Sequence, residues 1–237
     1  MATIDWKGYT WTLRDELGPY YDFDPANVSV DSNGYLNLAI TNPTNAHPIA
    51  SEIICNSSLG YGTYRIVVET DMTSLHKNIV FGGLWLQNTG TYYTNYYTEF
   101  DVCEISKWDT AGDTTIYHNA WYHDHILQND TATLPAGVQT HIFRWSKDMA
   151  IFQSYMGEVG ENPHDEPYFE TVFTQNVPVP TNEVPRIQTW CYRVGEDADD
   201  LTVTPTTIII RDFTFTKLAN TAGTSMIRGV SNGKYNR

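Results

Sequence analysis

Three cysteines in 237 residues, no apolar run long enough to cross a bilayer, and half as many basic as acidic side chains are the first things this sequence withholds. Cys55, Cys103 and Cys191 cannot all pair with one another, and their spacing fits no zinc motif, so no disulfide framework is expected. Fourteen Lys and Arg against 28 Asp and Glu give a formal charge of -14. Such a surface repels phosphate backbones and anionic lipid, which excludes nucleic acid and membranes as expected partners. The N-terminal MATIDWKGYTW lacks the basic and apolar regions of a signal peptide, and the chain reads as soluble. Glycosylation sequons at Asn27, Asn56 and Asn129 do not settle a compartment, since such triplets arise by chance in an Asn- and Thr-rich chain. There is no internal repeat, and nothing sustains a helical apolar period for three turns.

What is present is a rhythm of short runs rich in Val, Ile, Thr, Tyr and Phe. YLNLAI from 35, YRIVVET from 64, IVFGGLWLQ from 79, YYTEFDVCEI from 96, HIFRW from 141, AIFQSY from 150 and TTIIIRDFTFTK from 206 read as strands. Turn signals separate them, and SKD at 146–148 is short enough to close a hairpin. The spacing predicts an all-β, antiparallel β-sandwich with room for one short helix, folded as one domain over residues 1–217. Residues 218–237 are Gly-, Asn- and Ser-rich, carry only the basic charges Arg228, Lys234 and Arg237, and are expected to form a tail or linker.

One run carries more than a strand needs. In YTEFDVCEISKWD, Glu99 and Asp101 are two apart and share a strand face, whereas Glu104 is at an odd separation and faces away on a regular strand. A β-bulge around Val102 and Cys103 restores the parity, sets Glu104 beside the other two and turns Ile105 inward. Two Glu side chains separated by on the order of 13 Å of strand can lean together. Retaining hydrolysis of a glycosidic bond needs two carboxyl groups, one a nucleophile and one a proton donor. Close like charges raise the proton affinity of one member, so Glu104 is expected to stay protonated while Glu99 is ionised. The plain alternative is a solvated acidic face. Against it stand the cost of three like charges side by side on one strand, and the aromatics on both flanks, TYYTNYY before and Trp108 after, which suit a groove for sugar rings.

From these residues the chain resembles glycoside hydrolase family 16, the concanavalin-like jelly-roll glucanases and galactanases. EFDVCE matches the Glu-x-Asp-x-x-Glu motif of the family's bulged branch, typified by laminarinases, agarases and carrageenases. SEIICNSSLGYGTYRIVVETDM, IVFGGLWLQN, TTIYHNAWY, PRIQTW and IIIRDFTFTK resemble further segments of the family in the expected order, over about residues 6–217. The resemblance implies a jelly roll in which Glu99 is the nucleophile, Asp101 its hydrogen-bonding helper and Glu104 the general acid and then base. It implies that Trp85 floors the cleft, that His118 approaches the acid, that Gln188 and Trp190 face the substrate, and that Asp212 binds a structural calcium. Phe100 and Cys103 replace commoner aliphatic residues of the motif, and Gln188 replaces Asn.

Other readings stand beside these. Trp85 has a core alternative, Trp108 and Trp121 are equally placed between core and groove, and Trp190 with Arg186 and Gln188 forms a polar face at period two that suits a wet groove. YHNAWYHDH admits a weak metal alternative at His118, His123 and His125. For Asp212 the alternative to calcium is an ion pair with Arg211 or Lys217. The expectation is a secreted, monomeric, retaining endo-β-glycosidase without an organic cofactor. Its partner is a polysaccharide, first a β-1,3- or mixed-linkage glucan and second a galactan, with transglycosylation open at the same site. The rival class is a lectin-like binding module with the same sandwich and no catalysis.

Overall fold

The computed structural model describes residues 1–19, 21–42, 47–88, 97–122, 125–192 and 203–219. Over these the first half of the chain forms β1 (Thr3–Trp6), β2 (Tyr9–Leu13), β3 (Asp22–Phe23), β4 (Val28–Val30), β5 (Leu36–Ile40), β6 (Ile49–Cys55), β7 (Gly62–Val68) and β8 (Ile79–Gln87). The second half forms β9 (Thr98–Ser106), β10 (Thr115–Tyr122), β11 (His125–Thr133), β12 (Gln139–Trp145), β13 (Ala150–Met156), β14 (Phe169–Phe173), β15 (Val184–Cys191) and β16 (Thr206–Lys217). Among the described residues the one helical element is a single 3-10 turn, Pro25–Asn27, opened by Asp24, whose carboxylate accepts the Ala26 N–H at 2.8 Å.

Two sheets result. A nine-stranded sheet runs in the order β1-β2-β6-β15-β8-β9-β10-β11, with β3 joined to β6, and a seven-stranded sheet runs β14-β13-β12-β7-β16-β5-β4. Apart from the short β3–β6 pair, neighbours are antiparallel. Period-two patterning explains the packing: in β5 Leu36, Leu38 and Ile40 are buried while Asn37 and Ala39 are not. Between the sheets Phe100 of β9 meets Phe143 and Trp145 of β12 at ring distances of 5.0 and 4.9 Å. At another point of the core Trp11 meets Phe213 at 5.3 Å. The turn at 146–148 closes the β12–β13 hairpin, with the Ser146 N–H donating to the Met149 carbonyl at 2.8 Å. Lys7 and Gly8, with φ of 51° and 81°, make the β1–β2 turn, since two positive φ values match the twist of a tight hairpin.

The three cysteines are buried. β16 ends at Lys217, and the Leu218 N–H still bonds to the Tyr61 carbonyl at 3.1 Å. Of the expected tail, 220–237 lies outside the described residues.

Asp212 does not fit the calcium implied for it. It lies on β16 in the seven-stranded sheet, where Oδ2 takes Arg65 Nη1 at 2.7 Å and Oδ1 takes Lys7 Nζ at 3.2 Å. Both oxygens are held by cations, so a calcium ion there would face two positive charges. Its partners are also not the expected Arg211 or Lys217: Arg211 turns to Glu69 and Glu158. Among the described residues no group of three metal-ligating side chains comes together.

Candidate active site

The carboxylate run forms the middle of the nine-stranded sheet, and its parity is broken where the motif requires. Across the β9–β10 ladder Glu104 pairs with Tyr117 and Asp101 pairs with Asn119, so two β9 residues, Val102 and Cys103, stand against His118 alone. Both bulged side chains are buried and point into the core with Phe100 and Ile105. Glu99, Asp101 and Glu104 therefore share the outer face, turned away from the second sheet. β8 carries a matching extra residue: against β15, Trp85 pairs with Arg186 but Gly82 pairs with Gln188. Gly83 fits inside this double bulge because it has no side chain. A Cβ there would lie 2.4 Å from Phe81 Cε1 and 2.6 Å from Cys103 Sγ.

Each acid has its own surroundings. Glu99 accepts a hydrogen bond at Oε2 from the Tyr97 hydroxyl, and Gln87 Nε2 donates to both the Tyr97 oxygen at 3.1 Å and Glu99 Oε2 at 3.4 Å. Burial raises the Glu99 pKa, while the Tyr97 bond, the Arg186 charge and a hydrogen bond with Asp101 pull it back. Asp101, only 8% exposed, is pushed well above the carboxylate range by burial first and by the charges of Glu99 and Glu104 second, and a bond from Asn119 opposes the rise. Burial, assisted by the Glu99 charge, pushes Glu104 up to about 8. Asn119 Nδ2 also reaches Glu104 Oε2 at 3.4 Å. At neutral pH this favours a proton on Glu104, another shared between Asp101 and Glu99, and negative charge concentrated at Glu99. The arrangement can deliver a proton from one carboxyl while another carries the negative charge, which a solvated acidic face cannot do.

Around the acids the register collects most of the expected side chains. Trp85 lies opposite Asp101, and the Arg186 guanidinium sits 4.9 Å from its ring centre. Arg186 is tethered to the fully buried Glu52 at 3.1 Å, and Glu52 also holds Arg14 at 2.7 Å. Gln188 lies across Gly82, which is opposite Glu104; a Cβ on Gly82 would come within 2.9 Å of Gln188 Cγ. Trp121 pairs with Glu99. Trp108, held with φ of 50° just past β9, meets Trp190 at 5.9 Å, Tyr117 at 5.5 Å and Tyr192 at 4.8 Å.

His118 is not part of this face. Opposite the bulge it points the other way, is 0% exposed, stacks on Phe169 at 4.0 Å, and bonds to Thr171 at 3.2 Å and Ser154 at 3.1 Å. Burial holds its pKa well below the ordinary value. Asn119, the next residue, takes the position by the acids. The metal alternative loses His118 for the same reason, while His123 and the side chain of His125 lie outside the described residues, as do 91–96 of the aromatic run. Tyr97, Gln87, Asn119 and Glu52 were not singled out in the sequence. Tyr97 and Gln87 had a signal there, each two residues from a named site residue on the same strand face. Asn119 and Glu52 had none, because their placement depends on cross-strand register.

No protein-family model matches the chain, and no curated protein sequence matches it. Solved structures do match in fold. A Bacillus licheniformis β-glucanase superimposes with a TM-score of 0.67 at 17% identity, covering 88% of this chain and 92% of that one. A glycoside hydrolase family 16 endo-glucanase from Bacteroides ovatus, in complex with G4G3G-2F-DNP, gives 0.66 at 14% identity, with 87% and 94% covered. A Mycobacterium tuberculosis protein, described as an immunostimulatory antigen and pseudo β-1,3-glucanase, gives 0.63 at 17% identity, with 86% and 89% covered. This chain thus has the jelly-roll fold of the β-glucanases.

Proposed function

We propose that this chain is a retaining glycoside hydrolase of the family 16 type, cutting within a β-linked polysaccharide. The observation that carries the reading is the bulge that gathers Glu99, Asp101 and Glu104 on one face, with Glu104 at about 8 and Glu99 gripped as the charged member. Glu99 attacks the anomeric carbon and its bond to that carbon forms as the glycosidic C–O bond breaks. Glu104 gives its proton to the departing oxygen. Glu104, now a carboxylate, takes a proton from water as that water displaces Glu99, which regenerates both groups. Asp101, hydrogen-bonded to Glu99, spreads the negative charge before attack. A sugar hydroxyl in place of water gives transglycosylation.

A β-1,3- or mixed-linkage glucan is the first substrate, which agrees with the similarity in fold to β-glucanases and with a charge of -14 that disfavours sulfated chains. A galactan is second. A polymeric substrate also suits an enzyme that works outside the cell. A carbohydrate-binding sandwich without catalysis is the rival reading, favoured by the similarity in fold to a pseudo β-1,3-glucanase. Reducing-sugar release from laminarin, lichenan, agarose, carrageenan and xyloglucan, with Glu99→Gln beside the wild type, separates them. Release by the wild type that disappears in the variant supports the glycosidase. Binding by both proteins with release by neither refutes it.

A further inference from the structure

Basic side chains are scarce in this chain, 14 against 28 acids, yet three of them converge at one place on the seven-stranded sheet. A bulge in β16 opens that place. Ile210 pairs with Val68 and Asp212 with Val67, so Arg211 is an extra residue, and Arg211 and Asp212 stand part-exposed between the buried Ile210 and Phe213. Lys7 comes from the β1–β2 turn, whose flanking Trp6 and Tyr9 pack on Phe213 at ring distances of 6.5 and 5.6 Å. Arg65, from β7, is 6% exposed. The segment 158–161 ties β12 to β16 across β7: the Val159 N–H donates to Thr140 Oγ1 at 3.1 Å, and Glu161 Oε1 accepts from Thr214 and Thr216, each at 2.9 Å.

The oxygens gathered there are of the kind that calcium takes: the Asp212 and Glu158 carboxylates and the Val159 carbonyl. Each already faces a cation of the chain itself. Arg65 donates Nε to the Val159 carbonyl at 2.6 Å and Nη1 to Asp212 Oδ2 at 2.7 Å, and its Nη2 lies 3.7 Å from Glu158 Oε1. Lys7 Nζ holds the other Asp212 oxygen at 3.2 Å, and Arg211 Nη1 the other Glu158 oxygen at 3.0 Å. Arg211 also pairs with Glu69, so among the described residues three cations meet three anions. A guanidinium suits this task, because its planar fork serves several oxygens at once and stays charged at any working pH. We infer that Arg65, assisted by Lys7, stands in the place of a divalent ion. Together they close the seam between the N-terminal hairpin, β16 and the 158–161 segment with the chain's own positive charge, and the wild type neither needs nor binds calcium there. A calcium ion would first have to displace two side-chain cations, one of them nearly buried.

The test is thermal unfolding of the whole chain in excess EDTA, calcium chloride or magnesium chloride at constant ionic strength, with calcium calorimetry in parallel. The wild type is expected to melt at the same temperature in all three. Arg65→Met keeps the bulk and removes the charge. It is expected to melt about 5 °C below the wild type in EDTA, since a largely buried ion pair has lost one partner. Calcium then recovers part of that loss by taking the freed oxygens, whereas magnesium, which demands a tighter octahedral shell, does not. Lys7→Asn is the milder variant, because asparagine tolerates the φ of 51° at that turn and only one Asp212 oxygen is freed. It decides the matter if Arg65→Met does not fold, with an expected loss of about 2 °C that calcium again reduces. A wild type that EDTA destabilises or calcium stabilises, with the effect gone in Asp212→Asn, overturns the inference and makes Asp212 a calcium ligand. Variants whose loss no divalent ion recovers overturn it too, and leave ordinary ion pairs. None of these readouts requires catalysis, so the outcome stands apart from the glycosidase reading.

Discussion

At the scale of the residue, Glu104 is the group whose behaviour is most exposed to test. In the fold it holds its proton up to about 8, against an ordinary value of 4.5. Between those values the native state binds a proton that the unfolded chain has released, so the stability that Glu104 contributes is complete below 4.5 and is lost as pH rises towards 8. Glutamine has nothing to ionise. Glu104→Gln is therefore expected to melt near the wild-type temperature at pH 4 and at least about 5 °C above it at pH 9, by differential scanning calorimetry. On the proposed mechanism the acid must be protonated to act, so the alkaline limb of kcat/KM is expected near 8. Equal melting differences at the two pH values would mean that Glu104 is not a buried acid. The three acids were legible in the sequence because parity along a strand is a local property. His118 and Asn119 were not, since one bulged residue on the neighbouring strand decides which of the two faces the acids.

At the scale of the element, the paired bulges of β8 and β9 gather the three acids on one face, and two adjacent glycines sit on opposite sides of that arrangement. Gly83→Ala drives a Cβ to 2.4 Å from Phe81 Cε1 and 2.6 Å from Cys103 Sγ, both in the core. The expected cost is about 1–3 kcal/mol, read by urea denaturation. Gly82→Ala meets first the flexible Gln188 side chain, with Cγ at 2.9 Å. It is expected to leave stability within about 1 kcal/mol and to lower kcat/KM, because Gln188 is displaced beside Glu104. Identical losses in the two variants would contradict the division. IVFGGLWLQ and TTIIIRDFTFTK match β8 and β16 residue for residue, because β-branched and aromatic runs bounded by turns suffice to place buried strands. β14, FETVF, was not read as a strand. Glu170 and Val172 on its outer side are exposed at a sheet edge, so its alternation carries little apolar signal.

At the scale of the whole molecule, acid stability rests on a polar island between the sheets. Ser154 bonds to His118 at 3.1 Å and to His141 at 2.8 Å, and Thr171 links His118 to Asp130 at 2.9 Å. Burial lowers the His141 pKa to about 3 and holds His118 well below its ordinary 6.5. Both fold as neutral rings, so the stability they permit is complete above 6.5 and is lost as pH falls, for His141 as pH approaches 3. Each contributes a slope approaching about 1.4 kcal/mol per pH unit. His141→Phe is expected to flatten the fall of melting temperature between pH 6 and 4, and an unchanged slope would show that other groups govern acid unfolding. Nothing in the sequence marks this island, because its members come from five strands, β10 to β14, that meet only in the fold. Asp212 teaches the same lesson from the outside: its strand was legible, its cationic neighbours Lys7 and Arg65 were not.

The central claim is that Glu99 forms a covalent bond to the sugar, and trapping that bond tests it most directly. A mixed-linkage oligosaccharide with fluorine at C2 and dinitrophenolate as leaving group slows the second step more than the first, so the glycosyl-enzyme accumulates. Mass spectrometry of the intact protein and of its peptides is expected to show one added glycosyl group, carried by Glu99, with a burst of one dinitrophenolate per chain. Release of dinitrophenolate without any adduct, or an adduct on a residue other than Glu99, would contradict the account.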